Sequence, residues 1–169
     1  MRELLDYEKM VRTIRRISHE IIERNSNLEN IVFLGIKKNG VPLAKMISKN
    51  IEDFEQIQMT CLDLDISGYR DDKKIEVFDK LTVDLTDKTV IVVDDVLFTG
   101  RSVRASMDAI IDLGRPEKIQ LAVLIDRGHR ELPIRADYVG KSIPTNLGEK
   151  IIVRFSGEKG VFITNKEEI

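Results

Sequence analysis

Features that mark secreted, membrane-spanning or strongly nucleic-acid-binding proteins are scarce in this chain of 169 residues. It has a single cysteine, Cys61, so no internal disulfide can form and a reducing compartment is expected. It has no tryptophan, and no apolar run is long enough to span a bilayer. The formal net charge is −2, which excludes bulk electrostatic attraction to nucleic acid but permits a local basic face. The composition predicts a cytoplasmic globular protein without a membrane partner.

The length fits a single domain that spans residues 1–169. The N-terminus is charged and lacks the apolar segment of a signal peptide. Cys61 lies in an apolar, strand-like run without a histidine or asparagine pattern nearby, so it is interpreted as a core residue and not as a nucleophile.

Helical and strand patterns alternate along the chain, which favours an α/β fold with a parallel sheet. Helices are expected at Tyr7 to Asn25, Val41 to Ile51 and Arg101 to Leu113. Strands are expected at Ile31 to Gly35, Gln58 to Ile66, Thr89 to Val93, Ile119 to Ile125, Ile151 to Phe155 and Val161 to Ile163. The charge-rich stretch from Ser67 to Lys88 is expected to be a mobile excursion containing a hairpin.

The most informative stretch runs from Val90 to Ser102: a β-branched strand, two acids, a small-residue turn and a helix start. Parallel sheets bind ligands beyond the carboxyl ends of their strands, and unpaired amides at a helix N-terminus attract anions. Thr99 to Ser102 is therefore expected to wrap a phosphate monoester. Asp94 and Asp95 do not suit phosphate, so they are expected to face sugar hydroxyls or a metal that bridges to them. The alternative, that the two acids only cap the helix, is disfavoured because they lie before the first turn.

This string resembles the phosphoribosyl pyrophosphate (PRPP) binding motif of type I phosphoribosyltransferases. Further similarity at His19 to Asn25, Arg104 to Pro116 and Ile119 to Thr145 points to the PyrR family, bifunctional pyrimidine operon attenuators and uracil phosphoribosyltransferases. The resemblance implies a central, mostly parallel sheet flanked by helices, with a small hood and a flexible catalytic loop. It implies synthesis of UMP and pyrophosphate from uracil and PRPP. It also implies UMP-responsive binding of pyrimidine operon leader RNA, and a homodimer that can pair into a tetramer.

By the same resemblance, Asp94 and Asp95 hold the ribose hydroxyls, and Tyr69 and Arg70 belong to the catalytic loop. Magnesium is expected to accompany PRPP, with Asp126 contacting it through water. The residues expected to bind PRPP or the nucleotide are Lys37, Lys38, Asn39, Val96, Leu97, Phe98, Thr99, Gly100, Arg101, Ser102, Asp126 and Arg127. Apolar packing around the base is expected from Val139, Ile143 and Val153.

The loop from Gly35 to Gly40 resembles the family's pyrophosphate loop, in which strained backbone is usual and a non-proline cis peptide sometimes occurs. It is not a P-loop, because Val41-Pro42 follow where Lys and Ser/Thr are required. Lys38-Asn39 stand where the family usually has Thr-Arg, which removes a bidentate phosphate contact. Ser67-Gly68 replace the family's Thr-Leu before the catalytic loop. These departures support an alternative, an RNA-binding attenuator that uses the nucleotide site as a sensor with little or no catalysis. A purine or orotate phosphoribosyltransferase is a third, less favoured hypothesis.

The resemblance also implies an RNA-contacting surface. Its expected residues are Arg15, His19, Arg24, Lys38, His129, Arg130, Arg135 and Lys141. From the residues alone, the arginines of the first helix are more simply interpreted as a solvated face, and the resemblance favours RNA contact. Replacing Arg130 by alanine is expected to weaken RNA binding and to spare UMP synthesis.

Overall fold

Five parallel strands form the main sheet of the computed structural model, which describes residues 1–71 and 80–168. In spatial order they are β3 (Thr60–Leu64), β2 (Ile31–Ile36), β4 (Thr89–Leu97), β5 (Lys118–Asp126) and β6 (Tyr138–Ser142). The β-branched run from Val90 to Val93 occupies the central strand and is fully buried. Such a run suits a strand covered on both faces.

Three helices cover the two faces of this sheet: α1 (Tyr7–Arg24), α2 (Gly40–Glu55) and α3 (Arg101–Ile111). Successive strand residues point to opposite faces. Ile91 and Val93 pack in the cluster with α1 and α2, whereas Val90 and Val92 pack with α3. The sheet therefore separates two apolar cores.

A second, smaller sheet contains β1 (Arg2–Asp6), β7 (Glu149–Arg154) and β8 (Gly160–Asn165), antiparallel in the order β1-β8-β7. We call it the hood. Leu5, Val153 and Val161 attach it to the core on the α1 and α2 side. It matches the hood expected from the sequence.

The predicted helices and the predicted strands are confirmed, and the differences are local. β4 continues to Leu97 because it keeps pairing with β5, so Asp94 and Asp95 lie within the strand and not after it. β1 and β6 were not among the expected strands, since each has only five residues and too little alternation. In the stretch expected to hold a hairpin, Ser67–Tyr69 is a short 3-10 helix, and residues 72–79 lie outside the described part of the chain. Within residues 1–71 and 80–168, no helix is both long and apolar enough to cross a membrane.

Candidate active site

The turn between β4 and α3 encloses a cavity of about 240 Å³. Residues 96–103, here called the phosphate cradle, form most of its wall. Gly100 has a φ of 95°, and a Cβ there would meet the Cβ of Ile134 at 3.3 Å. The first helical hydrogen bond runs from the Arg104 amide to the Gly100 carbonyl, so earlier amides of α3 have no helical acceptor. The Arg101 amide lies 3.4 Å from the Thr99 hydroxyl. The cradle can therefore donate several hydrogen bonds to one phosphate.

The acid pair, Asp94 and Asp95, lies beside the cradle near the end of β4. Asp94 lines the cradle cavity, and both acids line a second cavity of about 410 Å³. Burial and the neighbouring negative charge of Asp95 raise the pKa of Asp94 well above its usual value of 3.8. Ionising Asp94 therefore costs free energy, and hydroxyl donors or a cation placed beside it would reduce that cost.

Lys37, Lys38 and Asn39 line the second cavity, and we call residues 35–40 the pyrophosphate loop. The Lys37-Lys38 peptide bond is cis, which confirms the expectation for this loop. A Cβ on Gly40 would lie 2.3 Å from the Val93 carbonyl oxygen, so glycine lets the loop pack directly on β4. The loop thus brings two lysines next to the acid pair.

Asn39, which replaces the family's arginine, is committed to contacts within the protein. Its Nδ2 donates to Asp95 Oδ2 at 2.9 Å and to the Val153 carbonyl at 3.2 Å. One amide therefore connects the acid pair to strand β7 of the hood. The sequence marked this position as a departure but did not predict that connection.

Asp126 and Arg130 form an ion pair beside the cradle. Asp126 Oδ2 accepts from Arg130 Nη2 at 2.6 Å, and Oδ1 accepts from the Gly128 amide at 3.0 Å. Arg130 also donates to the carbonyls of Phe98 and Ile134 at 2.6 and 2.9 Å. Arg130 therefore ties residues 126–134 to the cradle. Its contact with RNA and the water-mediated contact of Asp126 with a metal stay predictions.

Arg127 is only 4% exposed and supports the cavity wall from inside. Its guanidinium lies 4.0 Å from the Phe98 ring centroid and donates to Thr145 Oγ1 and the Glu149 carbonyl, each at 2.8 Å. His129 donates to the Thr145 carbonyl and meets the Phe98 ring edge-on. These contacts favour a supporting role for Arg127, and its expected binding of PRPP or the nucleotide stays a prediction.

The residues expected to surround the base do not share one core. Val139 packs on the α3 side of the sheet, whereas Ile143 and Val153 pack on the α1 and α2 side. Tyr69 also faces away from the acid pair, since its hydroxyl donates to Asp112 Oδ2 at 2.6 Å. Arg70 does line both cavities. The rest of the expected catalytic loop, from Asp72 onward, lies outside the described residues.

The residues expected to contact RNA occupy several places. Lys38 belongs to the pyrophosphate loop, and His129 and Arg130 belong to the wall beside the cradle. The exposed side chains Arg15 and His19 lie on α1, and Arg24 and Arg135 line a separate polar cavity. Lys141 is exposed on β6.

His19 stacks on Phe54 with ring centroids 4.4 Å apart and planes inclined by 7°. The two residues are far apart in sequence, so the pattern of aromatic residues did not predict this exposed stacked pair. Stacked aromatic surfaces are common where proteins contact unpaired bases.

A domain model described as "phosphoribosyl transferase domain" matches residues 1–156. Among solved structures, a Trypanosoma cruzi hypoxanthine phosphoribosyltransferase bound to IMP gives a TM-score of 0.78 at 15% identity, covering 99% of this chain and 92% of that one. A Bacillus anthracis hypoxanthine-guanine phosphoribosyltransferase gives a TM-score of 0.77 at 19% identity, covering 98% of both chains. Such distant likeness establishes the fold. Fold and site together define a phosphoribosyltransferase of type I.

Curated relatives narrow this class. The bifunctional protein PyrR of Clostridioides difficile is 56% identical over 170 residues, which cover 95% of this chain and 96% of that protein. The pyrimidine operon regulatory protein of Lactococcus lactis is 52% identical over 160 residues, which cover 94% of this chain and 92% of that protein. The chain therefore belongs to the PyrR family, as its sequence motifs indicated, and the purine and orotate hypotheses are set aside.

Proposed function

We propose that this protein forms UMP and pyrophosphate from uracil and PRPP, and that it binds pyrimidine operon leader RNA in response to UMP. The observation that carries the proposal is that β4 places Asp94 in the cavity of the phosphate cradle and both acids in the adjoining cavity of the pyrophosphate loop, in a chain of the PyrR family. The names of the relatives, bifunctional protein PyrR and pyrimidine operon regulatory protein, support the two activities. A cytoplasmic location and a homodimer that can pair into a tetramer belong to the same proposal.

The substrate would span the two cavities. The 5′-phosphate of PRPP would bind the cradle, the ribose hydroxyls would donate to Asp94 and Asp95, and the pyrophosphate group would lie near Lys37 and Lys38. The C1–oxygen bond to pyrophosphate breaks while the bond from uracil N1 to C1 forms. The N1 proton is then lost to solvent. Fixing both reactants in one geometry supplies much of the rate enhancement.

Magnesium belongs to this proposal as part of the PRPP substrate. Within residues 1–71 and 80–168, no group of three or more His, Cys, Asp or Glu side chains is arranged to hold a metal by itself. The two adjacent carboxyl groups of the acid pair both face the second cavity, where they suit a cation that arrives with pyrophosphate. The bound ion would neutralise charge on the leaving group.

One observation favours a second candidate, an attenuator that senses nucleotides and catalyses little. Both hydrogen bonds of the Asn39 amide go to the protein, so this residue offers a pyrophosphate group less than arginine would. The two candidates differ in turnover and agree on UMP binding.

The test measures UMP formation from uracil and PRPP for the wild type and Asn39→Arg, together with UMP titration of RNA affinity. Turnover by the wild type is expected, with RNA affinity rising as UMP binds. No turnover in either protein, with UMP binding intact, would support the sensor instead. Indifference to PRPP and UMP alike would refute both candidates.

A further inference from the structure

The carboxylate of Asp71 bridges two arginines of α3. Its Oδ2 accepts from Arg101 Nη1 at 2.8 Å, and its Oδ1 accepts from Arg104 Nη2. Arginines three residues apart lie on the same side of a helix. A single carboxylate therefore uses both oxygens to hold its segment against the first turn of α3.

Tyr69 attaches the other end of the same three-residue segment to the same helix. Its backbone carbonyl accepts from Arg104 Nη2 at 3.1 Å. Its hydroxyl donates to Asp112 Oδ2 at 2.6 Å, at the C-terminal end of α3. Residues 69–71 are thus fixed at both ends to one rigid element.

Arg70 lies between these two attachments. Four described residues line both the cradle cavity and the cavity of the pyrophosphate loop: Arg70, Asp94, Val96 and Ser102. Arg70 is the cation among them. A guanidinium in this position can meet a ligand that carries phosphate groups at two separate sites.

Stability of the fold does not account for the Asp71 contacts. The Asp71 side chain is 34% exposed and that of Arg101 is 48% exposed, and ion pairs at such positions contribute little to folding. Asp71 also lines a cavity suited to phosphate, where an unpaired carboxylate would repel the ligand. Its pairing with two arginines removes that repulsion and leaves Arg70 facing the cavities.

We infer that Asp71 is a positioning residue for PRPP: by binding Arg101 and Arg104 it holds Arg70 between the two anion-binding cavities. Arg70 then fixes the pyrophosphate-bearing end of the substrate relative to its 5′-phosphate. The inference rests on the proposed function in naming PRPP as the ligand. Asp71 acts through Arg70.

The experiment compares Asp71→Asn with Asp71→Glu, which keeps the charge, and with Asp108→Asn. Asp108 accepts from Arg104 Nη1 at 2.5 Å but lines neither cavity, so it is the matched control. Calorimetry measures the Kd of magnesium-PRPP without uracil and the Kd of UMP, and a thermal melt checks folding.

Asp71→Asn is expected to bind PRPP about tenfold more weakly, the order of loss for one positioned, charge-assisted contact. UMP has no pyrophosphate, so its Kd is expected to change by less than about twofold. Asp71→Glu is expected to recover most of the PRPP affinity, and Asp108→Asn is expected to match the wild type. Unchanged PRPP affinity in Asp71→Asn, or an equal loss for PRPP and UMP, would overturn the inference. A wild type that binds PRPP but forms no UMP would refute the transferase activity alone, because the affinities still decide the role of Asp71.

Discussion

Two regions of the molecule contain arginines that were expected to contact a charged ligand, and the two regions differ in structure. At the carboxyl edge of the main sheet, Arg70 faces the cavities that contain the acid pair. Along α1, Arg16 and Arg24 turn instead toward the protein itself. The first region lines open cavities, whereas Arg16 and Arg24 of the second region donate hydrogen bonds to backbone carbonyls of the protein.

The contacts along α1 explain why. β6 is an edge strand, and edge strands leave backbone groups unpaired. Arg16 Nη2 donates to the carbonyls of Val139, at 3.3 Å, and Gly140. Arg24 Nη1 donates to the Asp137 carbonyl at 2.9 Å. Arg16 and Arg24 thus supply hydrogen-bond donors to backbone carbonyls at this edge of the sheet. Arg15, in contrast, makes no hydrogen bond or ion pair with the residues described. An arginine pattern on a helix therefore does not distinguish a binding surface from a structural one.

The largest predicted effect tests the ligand side of this comparison. Asp95→Asn is expected to reduce PRPP turnover at least about 100-fold, because the ribose hydroxyls lose a charged acceptor at the reacting sugar. Steady-state UMP synthesis measures this, and an unchanged melting temperature shows that the fold is intact. Turnover within a few-fold of the wild type would contradict the role of the acid pair.

Arg130 tests the comparison further. The sequence assigned it to the RNA surface, whereas in the structure its side chain contacts Asp126 and two backbone carbonyls. Arg130→Ala removes an ion pair with Asp126 and two hydrogen bonds to carbonyls, so it is expected to cost about 2 kcal/mol of stability. The melting temperature should fall by about 4–8 °C. UMP synthesis should fall as well, because the cradle wall loosens.

Arg135→Ala is the matched control, since Arg135 is exposed and makes no hydrogen bond or ion pair in the described part of the chain. It should change only RNA affinity. If Arg130→Ala instead lowers RNA affinity while UMP synthesis and melting temperature stay unchanged, the original expectation for Arg130 is correct.

The cradle could be predicted from sequence because its parts are contiguous. A strand, a glycine turn and a helix start within residues 90–102 place their amides by local geometry alone. The parallel main sheet was likewise predicted from the alternation of helical and strand patterns, whereas the order of its strands was not predicted. Helices, strands and the turn between β4 and α3 depend on nearby residues, so they could be predicted to within a few residues at their ends.

Contacts between distant segments could not be predicted. Asn39 reaches Asp95 and Val153, and Arg127 reaches Thr145, only after tertiary packing. The family resemblance assigned expected roles to Asn39, Asp95 and Arg127, but it did not indicate which residues they contact. Whether a polar side chain meets a ligand or a carbonyl depends on the backbone that packs beside it, which a linear pattern does not contain.

Removing a charged side chain is expected to stabilise the fold at the acid pair and to destabilise it at Arg16 of α1. The pKa of Asp94 is raised, first by burial and then by Asp95, so the folded state binds this proton more tightly than the unfolded chain. Ionised Asp94 therefore destabilises the fold, and this cost grows as pH rises above the unfolded pKa of about 4. Asp94→Asn should raise the melting temperature at pH 8, by about 2–4 °C for each kcal/mol recovered, and less at pH 5. A gain that is equal at both pH values, or a loss, would show that ionisation is not the cause.

The smallest effects are expected for two neighbouring arginines of α1, of which Arg16 contacts backbone carbonyls of β6 and Arg15 does not. Arg16→Ala removes donors to the β6 carbonyls and should cost about 1 kcal/mol, or about 2–4 °C in melting temperature. Arg15→Ala should leave the melting temperature unchanged. If Arg15 contacts an RNA phosphate, the slope of log affinity against log salt should become shallower by about 0.7. Equal melting temperatures for the two variants would mean that Arg16 does not protect the edge of the sheet, and an unchanged salt slope for Arg15→Ala would remove this part of α1 from the RNA surface.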